Sequence, residues 1–255
     1  MLQFGQTNMV GPIMTAVSPS RTEEISNVLR DEILRGQYRP GERLPSERDL
    51  TSRFETSRGT VREAYKKLEQ LGLLSIQPGG ARVVPIQDCT LDVLGPLLDL
   101  GDVPDPKLID QALEIAGVLV EFAVVKALEN GSDTTIAAAR AITREMLAAE
   151  VENIQKVRAP PRLIRLFAES ADHLVLLLIM NGLRSRMLER LHAVGFPPRH
   201  DPQALRRIAE TLDDALEAHD VNQVAAVMRE LFDLLRNSVQ HHFKYLEHER
   251  KSVAT

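Results

Sequence analysis

The residues with the most specific chemistry in this chain are Arg48, the run Ser57-Arg58-Gly59-Thr60, and Arg62. A guanidinium presents a planar fork of donors that matches guanine O6 and N7, or two phosphate oxygens. Arginines at short, ordered intervals therefore suit a nucleic-acid groove. Ser57 and Thr60 carry hydroxyls that can bond a helix end or a phosphate, and Gly59 leaves the backbone bare for close approach. The plainer alternative for each arginine is a solvated surface charge. Further along, Pro78-Gly79-Gly80 lacks bulky side chains. Gly79 either lies along a minor groove or simply closes a tight turn. No catalytic pattern competes, because GxGxxG, GxxxxGK, HExxH and GxSxG are all missing from the sequence.

Other groups are less specific. Glu169 and His173, at i and i+4, read as a metal-binding pair or, more simply, as a surface or capping pair. Arg140/Arg144 and Arg162/Arg165 could hold an anion or be exposed helix charges. His241-His242 reads as a solvated face, and Asn181-Gly182 as an unusual mid-helix pair that could line a cavity. Cys89 has no partner and no evident role.

Short helices must position the arginines. Ile25, Val28, Leu29 and Ile33 share one helical face after Thr22, which can cap it, and Gly36 ends the run. Tyr38-Arg39-Pro40-Gly41 reads as a turn. Ser46 caps a helix over Glu47 to Phe54 that buries Leu50 and Phe54. Ser57 caps the next, which buries Val61, Ala64, Tyr65, Leu68 and Leu71, with Gly72 as a left-handed terminator. Leu73–Ile76 and Arg82–Val84 then read as a hairpin around Gln77-Pro78-Gly79-Gly80. Three helices and a hairpin in this order form a winged helix-turn-helix, in which Ser57, Arg58, Gly59, Thr60 and Arg62 lie at the groove-entering end of the second helix of the pair. Arg48 lies on the first helix of that pair and can reach the same groove or its phosphates.

The rest of the chain is larger and different in character. Residues 86–106 carry three prolines and two glycines and read as a linker, with one short helix near Leu91–Leu94. From Lys107 the spacing predicts helices only: Pro106 to Leu128, closed by Asn130-Gly131; Ser132 to Gln155; Leu163 to Ala193, bent near Asn181-Gly182 and ended by Gly195 to Pro198; Pro202 to Ala218; and Val221 to His248, capped by Asp220. Ala159-Pro160-Pro161 reads as a break. The expected fold is thus mostly α. Residues 1–17 form a flexible tail, residues 18–85 a winged helix with a small β-hairpin wing, and residues 107–249 an all-helical bundle.

Charge divides along the same line. Residues 18–85 hold twelve Lys/Arg against ten Asp/Glu, whereas residues 86–255 hold nineteen against twenty-six. A basic module joined to an acidic one fits nucleic-acid contact by the first. One cysteine excludes an intrachain disulfide. The longest apolar run, Leu174 to Met180, is far short of a membrane span. A soluble cytoplasmic protein is the expectation, with no membrane partner.

Three segments carry a resemblance. Residues 38–50 (Tyr38-Arg39-Pro40-Gly41-Glu42-Arg43-Leu44-Pro45-Ser46-Glu47-Arg48-Asp49-Leu50), residues 57–64 (Ser57 to Ala64) and residues 68–74 (Leu68 to Leu74) resemble the GntR family of bacterial regulators. Thr51, Thr56 and Tyr65 depart from its pattern at packing positions. The helical remainder resembles the FadR branch, whose effector domains are helical bundles. The resemblance implies a homodimer that binds a pseudo-palindromic double-stranded DNA operator. It also implies a small-molecule effector, an acyl-CoA, a fatty acid or another organic acid and hence anionic, held by the bundle. Many relatives bind a metal there through histidines. Ile164 (or, with a shift, His173 with Glu169), Ala209 and Leu231 stand at those positions in this sequence, so at least two ligands are missing and neither metal nor cofactor is expected.

Overall fold

The structure, a computed structural model, describes residues 20–101, 104–129, 133–193 and 201–253. The tail, the Asn130-Gly131 and Ser132 boundary and Gly195 to Pro198 lie outside these. The chain divides into two compact units, Met1–Pro96 and Leu97–Thr255.

In the first unit, helix α1 spans Arg21–Leu34, α2 Glu47–Arg53 and α3 Arg58–Gln70. The cap of α1 is Ser20, not Thr22. The Ser20 hydroxyl accepts from the Glu23 amide while the Glu23 carboxylate accepts from the Ser20 amide. This reciprocal pair satisfies two orphan donors at once, and Thr22 lies inside the turn it closes. Ser46 caps α2 in the same way with Asp49. Ile25, Leu29, Leu50, Val61, Ala64, Leu68 and Leu73 are fully buried and form the core between the helices. Phe54 and Leu71 are only half-buried, because each sits at the last, fraying position of its helix.

The wing consists of β1, Leu74–Gln77, and β2, Gly80–Val83, antiparallel with Gln77 opposite Gly80. Strand β1 is shifted by one residue from the sequence expectation, β2 starts two residues earlier and ends one earlier, and the loop shrinks to Pro78-Gly79. Gly79, with φ of +104°, reverses the chain in two residues. A third segment completes the wing. The amide of Leu44 donates to Ala81 O at 2.9 Å, that of Gly41 to Val83 O at 2.8 Å, and that of Val83 to Glu42 O at 2.9 Å. After β2, 3-10 turns at Ile86–Asp88 and Leu91–Val93 lead into α4, Leu94–Leu98.

The second unit is helical: α5 Pro106–Glu129, α6 Asp133–Ala148, a 3-10 stretch Val151–Val157, α7 Ala159–Ser170, α8 Leu174–Ala193, α9 Pro202–Glu217 and α10 Val221–Val253. Helix α5 lies against α10, α7 and α8; α9 lies against α6 and α10. Gly117 lets Phe232 approach the α5 backbone closely. The sequence expectation differs here in three places. Helix α6 ends at Ala148 rather than near Gln155. Ala159-Pro160-Pro161 starts α7 instead of merely breaking a helix, because the first helical turn needs no amide donors from its prolines. The stretch from Leu163 to Ala193 is two helices, broken at Ala171 to His173 where Asp172 takes φ of +48°. The Leu176 amide donates to His173 Nδ1 at 3.2 Å, so His173 caps α8. No helix among the described residues is long and apolar enough to cross a membrane.

Candidate nucleic-acid interface

Helix α3 begins at Ser57, whose hydroxyl accepts from the Thr60 amide at 3.2 Å and lies 3.0 Å from the Thr60 hydroxyl. The cap thus holds both side chains against the helix end, where free N–H groups and the helix dipole favour an anion. Arg58 occupies the first position of α3 and is exposed; among the described residues no carboxylate lies within ion-pair distance of it. Gly59 is also exposed, and a Cβ there would make only ordinary contact with Ser57 Oγ at 3.6 Å. The backbone on its outer side is open. Arg48 lies exposed in the first turn of α2.

Arg62 is differently placed. Its Nε and Nη2 donate to the two carboxylate oxygens of Glu47, each at 3.1 Å, tying α3 to the start of α2. That bidentate bond holds the Glu47 carboxyl below its usual range and raises Arg62 above its own. The arginine side chain remains 61% exposed. A pair this open is largely screened by solvent, so a phosphate competes with Glu47 at little expense.

The structure therefore brings Ser57, Arg58, Gly59, Thr60 and Arg62 to one helix end, with Glu47 linking them to the helix that carries Arg48. Gly79 sits at the exposed tip of the wing, with open space around its Cα. Gly80 differs from it: a Cβ there would run into the Arg43 guanidinium, which lies against the tip end of the wing.

Sequence reasoning missed the residues that brace this surface. Arg82 Nη1 donates to Gly41 O at 2.9 Å, fastening the wing to the turn before α2. Buried Tyr65, the departure at a packing position, donates its hydroxyl to Pro45 O, and burial pushes its ionisation upward. Arg53 pairs with Glu32, which also accepts from the Tyr38 hydroxyl at 3.3 Å. No spacing rule marks these contacts, since each joins residues about 6 to 41 positions apart through the tertiary fold.

In the second unit, the arginines considered as anion ligands are engaged by carboxylates. Arg140 pairs with Asp213 at 2.9 Å and Glu217 at 3.0 Å, Arg144 with Asp213 at 3.6 Å, Arg162 with Glu145 at 2.5 Å and Arg165 with Glu169 at 2.7 Å. Asn181 is exposed. His241 is exposed, but His242 is half-buried against the edge of Phe243, so the pair is not a uniformly solvated face. Cys89 donates its thiol to Gly72 O at 3.2 Å. Ala209 and Leu231 are buried and Ile164 is half-buried, and no group of three metal-binding side chains occurs among the described residues.

Comparison with known proteins bears on the same segment. Residues 21–84 match the family described as bacterial regulatory proteins, gntR family. The uncharacterized HTH-type transcriptional regulator Rv0494 of Mycobacterium tuberculosis is 39% identical over 62 residues, 24% of this chain and 26% of that protein. The galactonate operon transcriptional repressor of Escherichia coli is 32% identical over 134 residues, 51% of this chain and 57% of the repressor. The Uxu operon transcriptional regulator of Escherichia coli is 25% identical over 195 residues, 76% of this chain and 70% of that regulator. This chain thus spans about a quarter of the first of these and little more than half of the second. The family and these relatives are regulators, not enzymes. Residues 21–84 thus form the winged helix of the GntR family of bacterial transcription regulators.

Proposed function

We propose that the protein binds a pseudo-palindromic operator as a homodimer, each α3 entering the major groove of one half-site. The observation that carries this reading is the exposed Arg58 at the capped start of α3, without an ion-pair partner among the described residues, beside an exposed Arg62 held by the Glu47 carboxylate. In this reading Arg58 contacts a guanine edge. Arg62 exchanges Glu47 for a phosphate or base, and Arg48 contacts the adjacent backbone. Ser57 and Thr60 offer hydroxyls to phosphate, Gly59 lets the duplex approach, and Gly79 at the wing tip lies in the neighbouring minor groove. The domain limits proposed are 18–85 for DNA reading, 86–106 for the linker and 107–249 for sensing and dimerisation.

The helical unit is the proposed effector domain, and the effector is a small organic acid. The similarity that extends beyond the winged helix supports this, since it reaches the galactonate operon repressor over 134 residues. The protein acts in the cytoplasm, where the DNA is, as a repressor that its effector releases. Effector and operator are then coupled reciprocally, by ~1–3 kcal/mol or roughly 5- to 150-fold in affinity. Titrating operator-bound full-length protein with sugar acids, other small carboxylates, fatty acids and acyl-CoAs at fixed salt tests it. One class should weaken operator binding by a factor in that range. Unchanged binding across all of them leaves a constitutive or architectural DNA binder as the correct reading.

A further inference from the structure

Two arginines stand opposite each other on the wing. Arg43, in the third segment, pairs with Arg82 of β2 in antiparallel sense. The flanking main-chain bonds, from the Leu44 amide to Ala81 O and from the Val83 amide to Glu42 O, make this a non-hydrogen-bonded pair, the kind in which side chains lie closest. Leu44, Ala81 and Val83 are buried on the inner face, so Arg43 and Arg82 share the outer one, where both are exposed. Like charges directly opposite each other destabilise a sheet. No carboxylate relieves these two. Among the described residues neither has an ion-pair partner, and no acidic residue occurs from Gly72 to Pro85. The nearby acids are turned elsewhere: Glu42 accepts from the Arg39 amide at 2.8 Å and Glu69 from the Ile76 amide at 3.0 Å. A local conflict kept without internal gain points to an anion from outside the chain.

The two side chains diverge along the wing. Arg82 turns toward the start of the third segment, where one of its nitrogens donates to Gly41 O at 2.9 Å. Arg43 runs the other way, over Gly80 at the tip end, where only a residue without a Cβ leaves its guanidinium room. Gly80 and Val83, whose carbonyl accepts from the Gly41 amide, mark these two places. They lie three residues apart, about 10 Å along a strand. The outer face thus presents two separate positive charges, which suit two phosphates of one polyanion better than one small anion. It is also continuous with the reading end of α3. From Arg43 the chain passes through Pro45, whose carbonyl accepts from Tyr65 of α3, to Glu47, which holds Arg62.

We infer that Arg43 and Arg82 form a phosphate clamp on the outer face of the wing, holding the backbone of the duplex whose groove α3 reads. The inference rests on the DNA-binding reading above and adds two contacts to it. Phosphate contacts position a protein without reading sequence, so losing them weakens binding to every duplex alike. The test uses full-length protein, one duplex enriched from random sequence and one scrambled duplex of equal length, each titrated over a range of salt. Arg43→Gln should weaken binding several-fold on both and lower the slope of log affinity against log salt by about 1, and Arg43→Gln with Arg82→Gln by about 2. Arg43→Lys should keep the slope, since a point charge also holds a phosphate. The thermal midpoint of Arg43→Gln should stay level or rise, because one of two opposed like charges is gone. An Arg43→Gln protein with the wild-type slope, with a loss confined to the enriched duplex, or with a lowered thermal midpoint overturns the clamp. If the slope is unchanged in both glutamine variants while Arg58→Ala loses the enriched duplex, the α3 reading stands and the clamp alone fails. A wild type that binds neither duplex removes the DNA-binding reading, and the clamp with it.

Discussion

Arg58 and Arg62 lie on the same helix end but in different electrostatic settings, and the difference has consequences for specificity. In the proposed complex, a DNA contact through Arg62 Nε or Nη2 replaces its bond to Glu47, so part of that contact's energy is offset by the broken pair. Arg58 has no such bond to break. Arg58→Ala should therefore remove about 1–3 kcal/mol of operator affinity, mostly as lost discrimination, with the unfolding midpoint unchanged. Quantitative binding to operator and to scrambled duplex at one salt concentration separates the two effects. Equal loss on both duplexes would make Arg58 a phosphate contact, and no loss would place the reading surface elsewhere. At this scale the helix end that carries Arg58 and Arg62 was legible in the sequence, because a helix-capping serine has a local signature. The Arg62–Glu47 bond was not legible, since Glu47 carries its own ordinary role in the first turn of α2.

Elements show the same division between local and tertiary signals. Ser46, Ser57 and Gly72 marked their helix ends correctly, because a cap acts within three residues of itself. The break between α7 and α8 carries neither glycine nor proline, and it rests on Asp172 in a left-handed conformation and a capping His173. Nothing in the 3.6-residue period signals that. The third segment of the wing is likewise held by main-chain bonds from Gly41 to Leu44, which leave no periodic mark in the side chains. In the second unit, α5 and α10 are joined by Arg236, which donates to both Asp110 carboxylate oxygens at 2.5 Å, with Gln240 at 2.6 Å. The arginine bond chiefly holds the Asp110 carboxyl below its usual range. A carboxyl with a depressed native pKa favours folding at pH above its unfolded value near 4, and that contribution is lost as pH falls through the native value. Asp110→Asn should thus lower stability by about 1 kcal/mol at pH 7, with a gap that narrows progressively below about pH 4. Urea unfolding of both proteins at pH 7 and pH 3 measures it, and a gap independent of pH would remove the ion pair from the account.

For the whole molecule, the two-unit division, the acidic second unit and the winged helix of the GntR family combine into one claim: paired α3 helices read a two-fold site in DNA. The sequence shows the two units by composition and period alone. It does not show how copies associate, since an exposed apolar face and a buried one have the same residue types. The most direct measurement is selection of binding sites from a pool of random duplexes by the full-length protein at physiological salt. The account predicts enrichment of two like half-sites in inverted orientation, their centres about one helical turn apart, bound by two copies of the chain. Enrichment of a single asymmetric half-site bound by one copy, or no enrichment above random sequence, would contradict it.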